Sequence, residues 1–410
     1  MAEPNTRWVN AVLIADHTMG SLGLFTLMPV VAVLLADQFP DAGAVAVGAA
    51  LFCYMVAQGL SALLLSQWLP RFSYVASMTT SVLLSALGFG LLPYARTFTV
   101  AVLALFVAGL GVSVHFVLSR VLIAELVTDE IGRHRVYSAL QIALNAAATA
   151  GPFIAGFCYV AGSGDGRLLL GIVTVCYVLA GVTIVTGLPR GARPRAPATR
   201  WPISRAVLRF AVRDGAARRV VLITMLGSFV YAQFFTAFAL LVAKTVSADM
   251  LRGVLLAGPA IAIVVLQALV TRGVNEWQRR GVRPFAVLAG AAFLFGLSML
   301  VLGAGLAPML GALAGVLLFS FAEMLFTPMV STAFAGLAIP SQLEAFNLRQ
   351  VAWTSGEALG SWCGGSVFLA LYVAGAAPAY WLTLGGCTVV AVGVLVLSDR
   401  ARVAVPGGIR

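Results

Sequence analysis

The chain has 410 residues, of which 61% are hydrophobic and 10% charged, and its formal net charge is +11. A soluble domain carries roughly 25% charged residues, so this composition excludes a water-soluble globular protein. The positive charge falls in alternate hydrophilic loops, a pattern of membrane orientation and not of nucleic-acid binding.

A membrane span needs about 20 apolar residues to cross roughly 30 Å of hydrocarbon. Runs of that kind predict spans at 9–36, 45–69, 73–94, 99–127, 136–161, 167–189, 219–243, 253–274, 284–304, 308–336, 346–374 and 378–398. Each is expected to be a helix, because backbone groups in lipid must bond within their own segment. The expected fold class is therefore an all-α membrane protein with twelve transmembrane helices. The first run is too long for the apolar part of a cleaved signal and is taken as a span.

With the N-terminus placed in the cytoplasm, 21 of the 26 Lys and Arg fall in inside loops and tails. Arg96, Arg167, Lys244 and Arg252 fall outside. This asymmetry predicts a multi-pass protein of the cell inner (plasma) membrane with both termini cytoplasmic. Five cysteines lie inside apolar runs without metal or disulfide spacing and are read as small core residues.

Residues 190–218 form the one long hydrophilic stretch, rich in Arg and holding Pro194, Pro197 and Pro202. It divides the chain into a six-helix bundle at 1–189, a cytoplasmic linker at 190–218, and a six-helix bundle with a short tail at 219–410. The linker is either a solvated connector or holds an amphipathic helix on the inner leaflet, from about Ile203 to Val212. An internal repeat relates the halves. A shift of 209 places Tyr137 on Phe346, Gln141 on Gln350, Gly151 on Gly360 and Gly156 on Gly365. A shift of 212 places Ser119 on Ser331.

Three stretches carry a resemblance. Span 5 reads Asn145-Ala-Ala-Ala-Thr-Ala-Gly151-Pro152-Phe-Ile-Ala-Gly156. Span 10 holds Ala322-Glu323-Met324-Leu325 with Pro328, and span 11 holds Arg349-Gln350 and Gly356-Glu357-Ala358-Leu359-Gly360. On these the chain resembles the major facilitator superfamily, and within it the twelve-span drug:proton antiporter group. The resemblance implies two pseudo-symmetric bundles, with spans 1, 4, 7 and 10 lining a central cavity. It marks the span-5 run as the antiporter motif, with Asn145, Gly151, Pro152 and Gly156, and with Gly360 and Gly365 in the repeat, as gating and packing residues. Small residues let helices approach closely, and Pro152 removes a backbone donor. Two departures accompany the resemblance. The loop between spans 2 and 3 reads LLLSQWLPRF over 63–72, where Gln67 stands near the usual aspartate and only Arg71 of the basic set remains. Leu105 stands where the family's span-4 motif carries an arginine, ahead of Gly109 and Gly111.

Ionisable groups in the bilayer are costly and are functional candidates by default. The proton-coupling candidates are Glu323, Asp16 and Glu357. Glu323 sits in an apolar run with no basic residue within a helical turn, and loss of water disfavours a carboxyl's charged form. It is either a proton-exchanging group or a neutral acid bonding a neighbouring helix. The substrate-cavity candidates are His17, His115, Arg120, Tyr231, Gln233, Phe234, Phe235 and Phe238. By distance from the ends of the apolar runs, Asp16 and Arg120 match in depth, which predicts a buried ion pair. The alternative is an Arg120 that reaches the headgroups while Asp16 takes a hydrogen bond. Tyr231, Phe234, Phe235 and Phe238 share a helical face, as a cavity wall or as ordinary packing.

No enzyme constellation and no nucleotide-binding loop are present, so neither catalysis nor a cofactor or metal is expected. The expected function is secondary active transport, as proton-coupled efflux of a small amphipathic drug-like compound or metabolite. Alternatives are import or facilitated diffusion of a nutrient, lipid flipping, and a non-transporting receptor. Expected partners are a small-molecule substrate, protons and membrane lipids, with no nucleic acid, around a monomer.

Overall fold

Apolar runs without competing polar side chains leave the backbone to satisfy itself, and they do so as helices. The structure, a computed structural model, describes residues 6–27, 31–161, 166–195, 203–246, 249–306 and 308–403. In chain order the helices are α1 (Thr6–Leu27), α2 (Val31–Gln38), α3 (Gly43–Leu65), α4 (Tyr74–Leu91), α5 (Phe98–Leu126), α6 (Glu130–Ala161), α7 (Arg167–Gly187) and α8 (Arg205–Arg213). They continue as α9 (Gly215–Gln233), α10 (Ala239–Thr245), α11 (Asp249–Arg279), α12 (Pro284–Gly303), α13 (Pro308–Ala335), α14 (Gln342–Trp362), α15 (Phe368–Val373) and α16 (Ala377–Val403).

Eight of the described helical stretches are long and apolar enough to cross a membrane. Helices also stand at the four remaining expected spans, as α1–α2, α3, α6 and α14–α15. Several helices run past the apolar pattern that announced them: α6 begins at Glu130 and α11 ends at Arg279. Charged residues end the hydrophobic run without ending the helix. Starts are set by side-chain caps: Ser73 accepts from Ala76 N on α4, Thr97 from Val100 N on α5, and Asp214 from Ala217 N on α9.

Contacts group the chain into two units, Met1–Ser204 with Ile339–Asn347, and Arg205–Ala338 with Leu348–Arg410. In the first, α1 packs on α5, α6 and α7, and α4 on α5 and α7. The segment Ile339–Asn347 joins this unit through Ser341 Oγ, which donates to Arg195 O at 3.3 Å, and Glu344, whose Oε1 accepts from Ser204 N at 3.1 Å. The repeat-related rings of Tyr137 and Phe346 stand 6.3 Å apart. In the second unit, α12 packs on α9, α13 and α16, and α11 on α13. The expected linker therefore divides: α8 packs on α9 with Val207 and Ala211 buried. Residues 196–202, with Pro197 and Pro202, lie outside the described residues.

The repeat has a structural counterpart in two glycines. A Cβ on Gly151 of α6 would stand 2.5 Å from Phe25 O on α1, and one on Gly360 of α14 would stand 2.3 Å from Phe229 O on α9. Each glycine brings its helix into backbone contact with the first long helix of its own unit. Pro152 lies on an exposed face of α6, inside a continuous helix. Gly156 and Gly365 occupy helical positions in α6 and in the turn after α14, with surroundings outside the described set.

Two π turns interrupt the second unit, at Phe234–Phe238 between α9 and α10 and at Cys363–Val367 between α14 and α15. Such turns widen the helix and free backbone groups. Gln233 bridges the two helices. Its Nε2 donates to Gly360 O at 2.9 Å and its Oε1 accepts from Tyr380 Oη at 2.6 Å.

Candidate functional site

Within the first unit, α1 and α5 bring together Asp16, His17, His115 and Arg120. His115 Nε2 and Asp16 Oδ1 are 2.6 Å apart, and both side chains are shut away from solvent. The His17 ring lies 4.9 Å from Phe116 and 6.2 Å from His115. Arg120 Nη1 donates to Phe116 O at 2.9 Å, one turn back on its own helix, and its guanidinium lies over the Phe116 ring. The expected Asp16–Arg120 ion pair is corrected: the buried partner of Asp16 is His115. The physical reason is the true length of the helices. Asp16 lies about 15 Å into α1, which begins at Thr6, and His115 about 16 Å from the end of α5, at 1.5 Å per residue. Measured from the helices instead of the apolar runs, the depths of Asp16 and His115 match. Asp16 Oδ2, His17 Nδ1 and His115 Nδ1 are buried with no protein partner, so this cluster offers polar atoms to a substrate or a proton.

The second unit holds the other two acids. Glu323, midway along α13, is 3% exposed. Glu357 on α14 accepts from Trp353 Nε1 at 3.0 Å. The Tyr231 side chain on α9 is within electrostatic reach of both carboxyls. Tyr231 also stacks on Phe319 at 5.8 Å and lies 5.5 Å from Trp353. Two acids, a phenol and an indole thus gather from α9, α13 and α14. Trp353 is a member that sequence reasoning missed, although its spacing of four residues before Glu357 puts both on one helical face.

The aromatic stripe of α9 divides. Phe234 and Phe238 are 4% and 1% exposed, and Phe234 stacks on Phe319 at 4.5 Å, as core. Phe235 is 58% exposed. The π turn changes the helical phase at these residues and so separates faces that a regular helix would keep together. Gln233 is fully buried and committed to Gly360 and Tyr380. Asn145 Nδ2 donates to Gln141 O within α6.

A further cluster, at the ends of α9 and α16, was not foreseen. Arg219 Nη2 is 2.7 Å from Asp399 Oδ1, both largely buried, and Arg283 Nη2 pairs with Asp399 Oδ2. Its three members lie far apart in sequence and at the edges of the apolar runs, where charge attracts no notice.

The family model described as Major Facilitator Superfamily matches residues 17–343. No curated protein sequence matches the chain. Among solved structures, the human organic anion transporter MFSD10 (TETRAN) is similar at 17% identity and a TM-score of 0.69, covering 96% of this chain and 100% of that one. The E. coli fucose:proton symporter FucP is similar at 17% identity and a TM-score of 0.70, with 96% and 98% covered. A bacterial homologue of the iron transporter ferroportin, outward-facing, is similar at 15% identity and a TM-score of 0.66, with 95% and 98% covered. At these identities the likeness concerns the fold. The family model spans most of the chain: the chain belongs to the Major Facilitator Superfamily, a family of membrane transporters.

Proposed function

We propose that the protein is a proton-coupled secondary transporter that exports a small amphipathic compound by alternating access. The observation that carries this reading is Glu323, a carboxyl buried midway along a membrane-spanning helix and within electrostatic reach of Tyr231. An ionised carboxylate without water is costly. A carboxyl that gains water in one orientation and loses it in the other changes its proton occupancy as the transporter rocks. Substrate and proton then influence each other's binding reciprocally. Export is favoured by the span-5 run from Asn145 to Gly156, which resembles the antiporter motif. Asp16 with His115, and Glu357 with Trp353, are the supporting proton sites. Twelve spans with cytoplasmic termini in the inner membrane complete the reading, and labelling of a cysteine placed at Asp41 from outside, and at Pro197 only after permeabilisation, checks that topology.

The test begins with a panel of amphipathic compounds screened for a rise in melting temperature, since a ligand of the folded state stabilises it. A compound so found is followed in proteoliposomes under an imposed pH gradient. Uphill movement against the proton flow is expected, and Glu323→Gln abolishes it while the thermal shift remains. Undiminished uphill transport in that variant removes Glu323 from the mechanism. Movement along with protons replaces export by import.

A further inference from the structure

A cavity of about 260 Å³ opens in the first unit between the end of α3, the start of α4 and the middle of α5. Its walls are apolar: Leu65, Leu69, Phe72, Leu84, Leu110 and Val114. Two features distinguish it from ordinary loose packing. Ser77, a residue 8% exposed, lines the cavity, and its buried Oγ has no hydrogen-bond partner. At the mouth, the Arg71 guanidinium lies 4.3 Å from the centroid of Trp68, a ring 47% exposed that also lines the cavity. Among the described residues, no carboxylate lies within 4.0 Å of Arg71.

The dimensions fit one lipid leaflet. From Ser73, which caps α4, to Leu84 at the far wall the helix advances roughly 16 Å at 1.5 Å per residue, and half of a bilayer's hydrocarbon is about 15 Å. The exposed residues of α4, among them Leu83, Leu87 and Leu91, continue along the same helix as an apolar surface. The mouth carries the pairing usual at a headgroup layer, an exposed Trp and a cation. Basic residues at pockets between spans on the cytoplasmic side bind anionic headgroups.

We propose that this cavity is a binding site for an anionic phospholipid. One acyl chain fills the groove between α3, α4 and α5. The phosphate meets Arg71 over the Trp68 ring. Over 63–72 the sequence holds Arg71 as its one charged residue and no acid, so the cation has no carboxylate of its own loop to meet. The cation serves a lipid in place of a carboxylate. The proposal rests on the inner-leaflet placement of this loop and is independent of which compound is transported.

The experiment is native mass spectrometry of the full-length protein released from nanodiscs holding equal phosphatidylglycerol and phosphatidylcholine. The wild-type protein is expected to retain phosphatidylglycerol about fivefold over phosphatidylcholine, the preference one basic contact supplies. Arg71→Gln, at an exposed side chain, is expected to bind both lipids equally. Thr80→Trp, at an exposed position that lines the cavity, is expected to fill the groove and reduce retention of both lipids. Melting temperatures of the three proteins confirm that they are folded. Equal retention of the two lipids by the wild type, or an unchanged preference in Arg71→Gln, overturns the assignment of an anionic headgroup. Unchanged retention in Thr80→Trp overturns the groove as the site.

Discussion

His115 Nε2 and Asp16 Oδ1 meet at 2.6 Å in the interior of the first unit, with neither side chain reachable by solvent. The pair joins α1 to α5 through one hydrogen bond. Arg120, five residues further along α5, turns back to the carbonyl of Phe116. Removing one member of a buried pair leaves the other without compensation, which costs more than removing both. Asp16→Asn and His115→Gln are therefore expected to be non-additive, with a coupling of about 1 kcal/mol or more in a double-mutant cycle read by thermal unfolding. Asp16→Asn with Arg120→Gln is expected to be nearly additive in the same measurement. Strong coupling in the second cycle, and none in the first, would reverse the assignment.

Gly151 and Gly360 test the repeat. A side chain at either must displace backbone of the neighbouring helix, Phe25 or Phe229. Overpacking of this kind costs about 1–3 kcal/mol. Gly151→Leu and Gly360→Leu are expected to lower the melting temperature by similar amounts. Gly386, beside which a Cβ meets nothing within 4 Å, serves as the control, and Gly386→Ala should leave the melting temperature almost unchanged.

Asp399 accepts from two arginines that differ in burial. The Arg219 side chain is 10% exposed and the Arg283 side chain 57%. Asp399→Asn is expected to destabilise by about 3 kcal/mol, since it leaves Arg219 buried without a counter-charge. Arg283→Gln is expected to cost under about 1 kcal/mol, because water screens that partner. Denaturation of the purified variants ranks them, and an equal cost for the two would show that burial is not what sets the strength of this cluster.

Tyr380 holds Gln233 at the junction of the two π turns. Tyr380→Phe keeps the ring and leaves Gln233 Oε1 without its hydroxyl donor. A loss of about 1–3 kcal/mol is expected. Gln233→Leu also frees the Gly360 carbonyl and is expected to cost more. Thermal unfolding of both variants provides the check, and a neutral Tyr380→Phe would show that the hydroxyl does not hold the junction.

The spans were legible because lipid imposes two demands that composition records directly. Side chains must be apolar over the hydrocarbon thickness, and the backbone must bond to itself. The glycines were legible for a related reason: Gly151 and Gly360 stand at equivalent places in the repeat, and a missing side chain is visible in the sequence. The acids Asp16, Glu323 and Glu357 were conspicuous against an apolar background. Their partners were not. Asp16 selects His115 over Arg120 because α1 begins before its apolar run does, a shift of a few residues that moves the matching depth by most of a turn. The stripe Tyr231, Phe234, Phe235 and Phe238 looked continuous because a regular helix was assumed, and the π turn breaks that phase. Arg219, Arg283 and Asp399 come from the ends of different helices, where each charge alone looks like a solvated terminus. Hydrophobicity is a property of each residue and survives in the sequence. Pairing depends on the depth and rotation of two helices at once, and only their packing determines it.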